Sequence, residues 1–292
     1  MRIEPGYQHL LESGELSKRV KAAYQMLERC TVCPRECRVN RLLGETGHCH
    51  TGRLAMASSY RPHFGEERPL SGWRGSGTIF LTRCNLNCLY CQNHDISQTS
   101  CGEELEPEQI AELMLRLQES GCHNINLVSP SHVAPQLLAA VLIAAESGLR
   151  LPLVYNCGGY DSLETLHLLD GVIDIYMPDM KYAHEDTAYR LSNVQNYPQI
   201  NQAAIKEMHR QVGDLILDEN GVAVRGLLIR HLILPNDLAG SEEIISFIAR
   251  EISISSYLNL MDQYHPEYRA FNHPQLNRRI TPAEYQHIVQ LA

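Results

Sequence analysis

No stretch of the sequence is apolar for long enough to cross a bilayer as a helix, so no membrane span is expected. The first twenty residues, MRIEPGYQHLLESGELSKRV, have no apolar core of a secretion signal. They read as a polar, amphipathic helix, and the expected location is cytoplasmic. Positive charge is scarce: 25 Lys and Arg stand against 34 Asp and Glu, a net charge of −9. That balance excludes a general basic face for nucleic acid, though not a local basic pocket. No GxGxxG follows a strand-like run, so a dinucleotide-binding sheet lacks its main signature. There is no internal repeat of fixed period and no low-complexity tract.

What is present is a globular composition, 44% hydrophobic and 20% charged, over 292 residues. Such a chain buries a core without disulfides. In a reducing compartment, its ten cysteines read as metal ligands or catalytic groups where they cluster. Seven fall in two clusters, at 30–49 and 84–91. Cys101, Cys122 and Cys157 stand apart and read as buried or partly buried thiols.

Residues 1–29 read as one or two helices, and 30–77 as a loop-rich segment without periodicity, stapled by metal. From residue 78 short apolar runs alternate with helical spacing. Strands are expected at Thr78–Arg83, Ile125–Ser129, Pro152–Cys157, Ile173–Met180, Leu227–Leu234 and Tyr257–Tyr264. The intervening helices fall near 106–121, 135–147, 163–170, 198–212 and 241–252, with a last one at 282–291. Strands alternating with helices give βαβ units and a parallel sheet. Six strands fall short of a closed eight-stranded barrel. The expected fold is α/β, a partial (β/α)6 TIM-like barrel at 78–292 behind an N-terminal helical and Cys-rich segment at 1–77. Asp218-Glu219-Asn220-Gly221 signals a turn between short strands, hence a hairpin inside the fifth unit.

The first strand runs into Cys84-Asn85-Leu86-Asn87-Cys88-Leu89-Tyr90-Cys91, a CxxxCxxC spacing. Three thiolates on one loop hold three irons of a cubane cluster and leave the fourth iron without a protein ligand. An open iron binds a small molecule, which a four-cysteine cluster does less readily. The competing assignment is zinc, with His94 or Cys101 as fourth ligand.

These residues resemble the radical S-adenosylmethionine (SAM) superfamily. The resemblance extends through CPRECRVNR, GETGHC, SGWRGSGTIFLTRCNLNCLYCQN, NINLVSPSH, VYNCGGY, DIYMPDMKY and MDQYHP, and is similar to uncharacterised homologues of pyruvate formate-lyase activating enzyme. It implies a reduced [4Fe–4S] cluster at Cys84, Cys88 and Cys91 that cleaves SAM to a 5′-deoxyadenosyl radical, which abstracts hydrogen from a substrate. The substrate implied by the activating enzymes is a glycine of a partner glycyl radical enzyme; a small metabolite or peptide is the alternative within the class. The implied reductant is a flavodoxin or ferredoxin.

By the same resemblance, Tyr90 packs near the adenine, and Gln92 and Asn93 bond cluster sulfurs or SAM. The GGE-type motif that grips the methionine group is replaced by Ser129-Pro130-Ser131-His132, where Ser129 and Ser131 offer hydroxyls. His132 is a candidate acid or base, or a helix-start histidine without a role. Asp179 and Lys181 resemble the Asp-x-Lys that contacts SAM; a plain ion pair is the alternative. Arg230 and His231 lie in an apolar strand, where unpaired polar groups are costly, so one is expected to enter the barrel, Arg230 by preference. Gln263, Tyr264 and His265 end the last strand, with His265 near SAM or substrate. Glu66, Glu67 and Arg68 either line the mouth of the site or form a solvated turn.

Cys30, Cys33, Cys37 and Cys49 have the spacing Cx2Cx3Cx11C, with Gly44 and Gly47 allowing the chain to turn back. Four thiolates complete a zinc site or a full [4Fe–4S] cluster. Zinc is preferred because the segment needs a staple; His48 and His50 are alternative ligands. The rival from another class is a non-catalytic iron–sulfur or zinc protein.

Overall fold

The structure, a computed structural model, describes residues 4–292; positions 1–3, the start of the segment read as a polar helix, lie outside the described residues. The chain opens with helices Tyr7–Glu12 and Glu15–Gln25, separated at Gly14, whose φ of 71° is left-handed. The strands are β1 (Ala55–His63), β2 (Ser76–Leu81), β3 (Glu103–Leu105), β4 (Ile125–Val128), β5 (Leu153–Cys157), β6 (Ile175–Pro178), β7 (Ile216–Leu217), β8 (Ala223–Leu232) and β9 (Tyr257–Met261). Their order is β3-β1-β2-β4-β5-β6-β8-β7, with β9 also paired to β8.

The expected six strands are β2, β4, β5, β6, β8 and β9, and every pairing among them is parallel. The result is an open, partial (β/α)6 barrel. Sequence reading missed β1, which sits in the segment read as loop and pairs antiparallel with β2. Its polar half, Ser58-Ser59-Tyr60-Arg61-Pro62-His63, has no clean alternation, so nothing local announces a strand. The hairpin is present: β7 pairs antiparallel with the start of β8 across Asp218–Gly221, where the Asp218 side chain accepts from Asn220 N and Val222 N. The helix Glu185–Ser192 was not anticipated.

The period-2 alternation of the strands divides the core in two. Ile79, Leu81, Ile125, Leu127, Leu153, Tyr155, Tyr176, Leu227 and Ile229 face outward and pack with helix residues such as Ile110, Met114, Leu138 and Ile205. Val154, Ile175, Met177 and Leu228 face inward and close on Leu70. Leu70 belongs to the short helix Arg68–Ser71 that leads into β2, and its carbonyl accepts from Asn124 Nδ2. This apolar plug closes one end of the barrel. Polar side chains take the inward positions beyond it, toward the carboxyl ends of the strands.

Candidate active site

The CxxxCxxC loop leaves the end of β2 and is pinned from outside the thiols. Asn87 N donates to Ser192 O at 3.1 Å and Leu89 N to Leu191 O at 2.8 Å. Asn85 Nδ2 donates to Tyr160 O at 2.7 Å. Each thiol has a donor or hydroxyl neighbour: Leu86 N at 3.4 Å from Cys84 Sγ, Ser192 Oγ at 3.0 Å from Cys88 Sγ, and Ser97 Oγ at 3.1 Å from Cys91 Sγ. Burial pushes the Cys84 thiol up to about 12 and raises Cys88 as well, with the neighbouring thiols adding to the rise at Cys84.

Tyr90 lies behind the loop in a cage of aromatic rings. It is buried, edge-on to Tyr182 and Tyr264, and its hydroxyl is 2.6 Å from that of Tyr182. Tyr182 meets Ser192 Oγ, also at 2.6 Å, and Ser192 donates to Cys88. A hydrogen-bonded chain therefore runs from Tyr90 to the central thiol. Ser192 carried no sequence signal, and Tyr182, although it ends the DIYMPDMKY motif, was given no role: their link to Cys88 becomes visible only when the Glu185–Ser192 helix is docked on the loop.

Beneath the loop is a charged layer. Asp179, at the end of β6, accepts from Arg230 Nε at 2.9 Å and from Lys181 Nζ at 2.6 Å. Arg230 also donates to Asn156 Oδ1 at 2.8 Å, and its Nη1 lies 3.8 Å from Glu67 Oε1. Glu67 Oε1 accepts from Asn259 Nδ2 at 2.9 Å. Burial alone raises the Asp179 carboxyl, but Arg230 and Lys181 outweigh it and hold it below the ordinary carboxylate range. Burial likewise lowers Lys181, but Asp179 and the Cys88 sulfur raise it further, so the ammonium stays charged. Arg230 turns toward Asp179 and Asn156, whereas His231 is buried between Met180 O (2.6 Å) and Ser241 Oγ (2.9 Å). Glu66 and Glu67 join this layer rather than a solvated turn.

Glu66 is pushed up to about 7 from an ordinary 4.5, first by burial and then by Glu67 and Asp179, against the pull of Arg230. Its folded value is raised, so the folded state binds the proton more tightly than the unfolded chain. The stability from that proton is complete below 4.5 and is lost as pH rises through about 7. Glu66→Gln is neutral throughout, so its melting temperature gains on the wild type between about pH 5 and pH 8 in paired anaerobic melts. A constant offset across that window contradicts the assignment.

The other expected residues are dispersed. Gln92 and Asn93 are exposed, and Gln92 Nε2 lies 3.5 Å from His265 Nδ1 at the rim. His265 also faces Glu267 at 3.5 Å. Ser129 follows β4 with a φ of 61°. Ser131 is buried and bonds Asp161, which also accepts from Tyr155 OH on the outer face of β5. His132 is buried, with Nε2 3.1 Å from Thr82 O, and burial lowers it to about 3. Gln263 is exposed and Tyr264 donates to Leu276 O. His94 stacks on Tyr268, and Cys101 is exposed rather than buried like Cys122 and Cys157.

The four cysteines of the first cluster converge. Cys30, Cys33, Cys37 and Cys49 line one enclosed cavity with Arg35, Arg41, Gly47 and His132. Burial raises the Cys33 thiol to about 12, and the other three thiols add to it. His48 is half-buried and lowered to about 4, first by burial; His50 is exposed. Among the described residues, no three Cys, His, Asp or Glu side chains are drawn into the spacing of a single ion.

Residues 78–224, half the chain including the CxxxCxxC loop and Asp179 and Lys181, match the Radical SAM superfamily. The chain belongs to the radical SAM superfamily. Membership implies a [4Fe–4S] cluster and SAM as cofactors. The chain is 33% identical over 285 residues to uncharacterized protein MJ0674 of Methanocaldococcus jannaschii, covering 95% of this chain and 78% of that protein. It is 24% identical over 266 residues to uncharacterized protein MJ0808 of the same organism, covering 84% and 73%. Two solved structures are more distant: anSMEcpe with bound AdoMet, at 10% identity and a TM-score of 0.46, and TYW1 with a lysine-pyruvate adduct, at 11% and 0.45. The first match covers 72% of this chain and about half (54%) of that one, the second 73% and 72%. No helix among the described residues is long and apolar enough to cross a membrane.

Proposed function

We propose that this radical SAM enzyme holds its [4Fe–4S] cluster through Cys84, Cys88 and Cys91 and cleaves SAM reductively for hydrogen abstraction. The observation that carries the reading is the three-thiol loop set directly against the Lys181–Asp179–Arg230 layer, with Lys181 close enough to Cys88 for the sulfur to raise it. The donor set fits the cluster: three buried or half-buried free thiols, each beside an N–H or O–H. When bound and reduced, the cluster supplies the electron that splits SAM into methionine and a 5′-deoxyadenosyl radical.

The chain's own groups position the cosubstrate. Lys181 suits the methionine carboxylate, and Asp179 a ribose hydroxyl or the methionine ammonium. Arg230 fixes Asp179 from the barrel side. Ser129, at the end of β4, stands where the GGE-type motif is missing. Gln92, Asn93 and His265 form the rim. Tyr90 backs the loop and suits packing near the adenine, while Ser131 is engaged by Asp161.

Reconstituted anaerobically and given SAM and dithionite, the protein is expected to release 5′-deoxyadenosine and methionine, read by liquid chromatography–mass spectrometry. An intact cluster with no product would favour a non-catalytic iron–sulfur or zinc protein. The Ser192→Ala variant removes the donor to Cys88 and is expected to lower the cluster midpoint potential in a redox titration; an unchanged potential would show that this hydrogen bond does not tune the cluster.

The target proposed is a glycine of a partner protein, supported by the Asp179-x-Lys181 resemblance. A glycyl-radical resonance on an added partner tests it. A small polar substrate is the second reading, favoured by Glu66, Glu67 and Asn259 inside the barrel. A flavodoxin or ferredoxin is proposed as reductant: acidic proteins of that kind suit the cleft where Arg83 and Arg269 share the walls with Cys84 and Cys49.

A further inference from the structure

The four-cysteine cavity holds two cations with no carboxylate to answer them. Arg41 is 1% exposed. Its Nε donates to Gly52 O at 3.0 Å and Nη1 to His132 O at 2.7 Å, with Cys30 Sγ at 3.8 Å. Its Nη2 is buried without a hydrogen-bond partner. Arg35 lines the same cavity; its Nε donates to Asn85 O at 2.8 Å, and its Nη2 is also buried and unpartnered. Among the described residues neither guanidinium has an ion pair with Asp or Glu. Arg35 is partly buried, with its guanidinium 6.0 Å from the Tyr160 ring centroid, and a buried guanidinium without a counter-charge is destabilising.

The thiols are the available counter-charge, but only when a metal has taken their protons. Four thiolates around one Zn²⁺, or around a [4Fe–4S]²⁺ core, leave the same net charge of two minus by formal count. That dianion matches two guanidiniums. The cradle is also shaped for close thiols. A Cβ on Gly47 would lie 2.6 Å from both Cys37 Cβ and Sγ, so only glycine admits the return of the chain there. His48 N donates to Cys37 Sγ at 3.4 Å.

Arg35 also ties this cavity to the radical loop. Cys33, Cys37 and Cys84 all act on its guanidinium, and its Nε bond goes to the residue after Cys84. Cys49 and Cys84 further share the walls of one surface cleft.

We propose that Cys30, Cys33, Cys37 and Cys49 bind a second, four-thiolate metal centre, balanced by Arg35 and Arg41 and coupled to the Cys84 loop through Arg35. The metal site stands by itself; the coupling rests on the radical SAM reading above.

The test is metal and acid-labile sulfide analysis of the full chain carrying Cys84→Ala, Cys88→Ala and Cys91→Ala together, purified anaerobically beside the wild type. The expected result is one site's content retained, either one zinc without sulfide or four irons with matching sulfide. The two arms distinguish a structural centre from an electron relay, and each supports the site. A folded triple variant without stoichiometric zinc or iron overturns it. Cys30→Ala together with Cys33→Ala in the otherwise native chain guards against misfolding of the triple variant: with only two thiols left at the site it is expected to lose that same content and keep the other, and full retention overturns the site. A wild type holding no more metal than the triple variant contradicts the radical reading and leaves this one intact. For the coupling, Arg35→Gln removes a positive charge beside the loop and is expected to lower the midpoint potential of the Cys84 cluster; an unchanged potential overturns it.

Discussion

Cys88→Ala is expected to reduce 5′-deoxyadenosine formation to background while the barrel stays folded. Cys88 is the central thiol of the loop, proposed here as a cluster ligand, and the end of the Tyr90–Tyr182–Ser192 chain. Two remaining thiols do not hold a cubane against loss of iron. The fold survives because the loop is fixed by backbone bonds that do not involve the thiol, Asn87 N to Ser192 O and Leu89 N to Leu191 O. The substitution leaves a space the size of one sulfur in a tyrosine-lined pocket, a minor cavity by the standard of core truncations. Circular dichroism should therefore match the wild type, with iron content reduced by the share of one cluster. Product at wild-type rate from a folded variant would remove Cys88 from the ligand set.

Asp179→Ala is expected to act on both stability and cosubstrate affinity. Asp179 is the one carboxylate bonded by both Lys181 and Arg230, and all three side chains are at most 17% exposed. Removing it leaves two cations side by side, a loss of about 3 kcal/mol by analogy with other broken buried pairs. The sign of the pH effect follows from the depressed carboxyl. Its stabilisation is present above the unfolded value of 3.8 and is lost as pH falls through the lower folded value. The difference between wild type and Asp179→Ala in denaturant unfolding should therefore be full at neutral pH and shrink below about pH 4. SAM binding by calorimetry should weaken in the same variant. Equal unfolding midpoints at pH 7 would show that the triad is not a structural unit.

The barrel was legible because its strands are short apolar runs at regular spacing, and burial on both faces leaves that signal intact. The CxxxCxxC loop was legible because its three cysteines lie close together in the chain itself, in the spacing the proposed cluster needs. The rest of the site obeys no such local rule. Arg230 was found because it interrupts an apolar strand, but its partners Asp179, Asn156 and Glu67 come from three other parts of the chain. Asn156 sits in PLVYNC, where an asparagine after tyrosine says nothing about a neighbouring strand's arginine. Ser131 looked like a hydroxyl at a strand end, but it lies in the turn beyond β4, where it is buried and bonded to Asp161. β1 was hidden because its polar half, 58–63, which pairs with β2 alone, resembles a loop.

The most direct test of the central claim is the electron paramagnetic resonance spectrum of the reduced protein with and without SAM. To isolate the Cys84 loop, the spectrum is taken on a background carrying Cys30→Ala and Cys33→Ala together, which leaves too few thiols for a second cluster. An iron without a protein ligand is expected to take SAM, so adding it should change the g-values of the reduced cluster. A cluster signal that SAM leaves unaltered, at concentrations that saturate binding, would contradict the account.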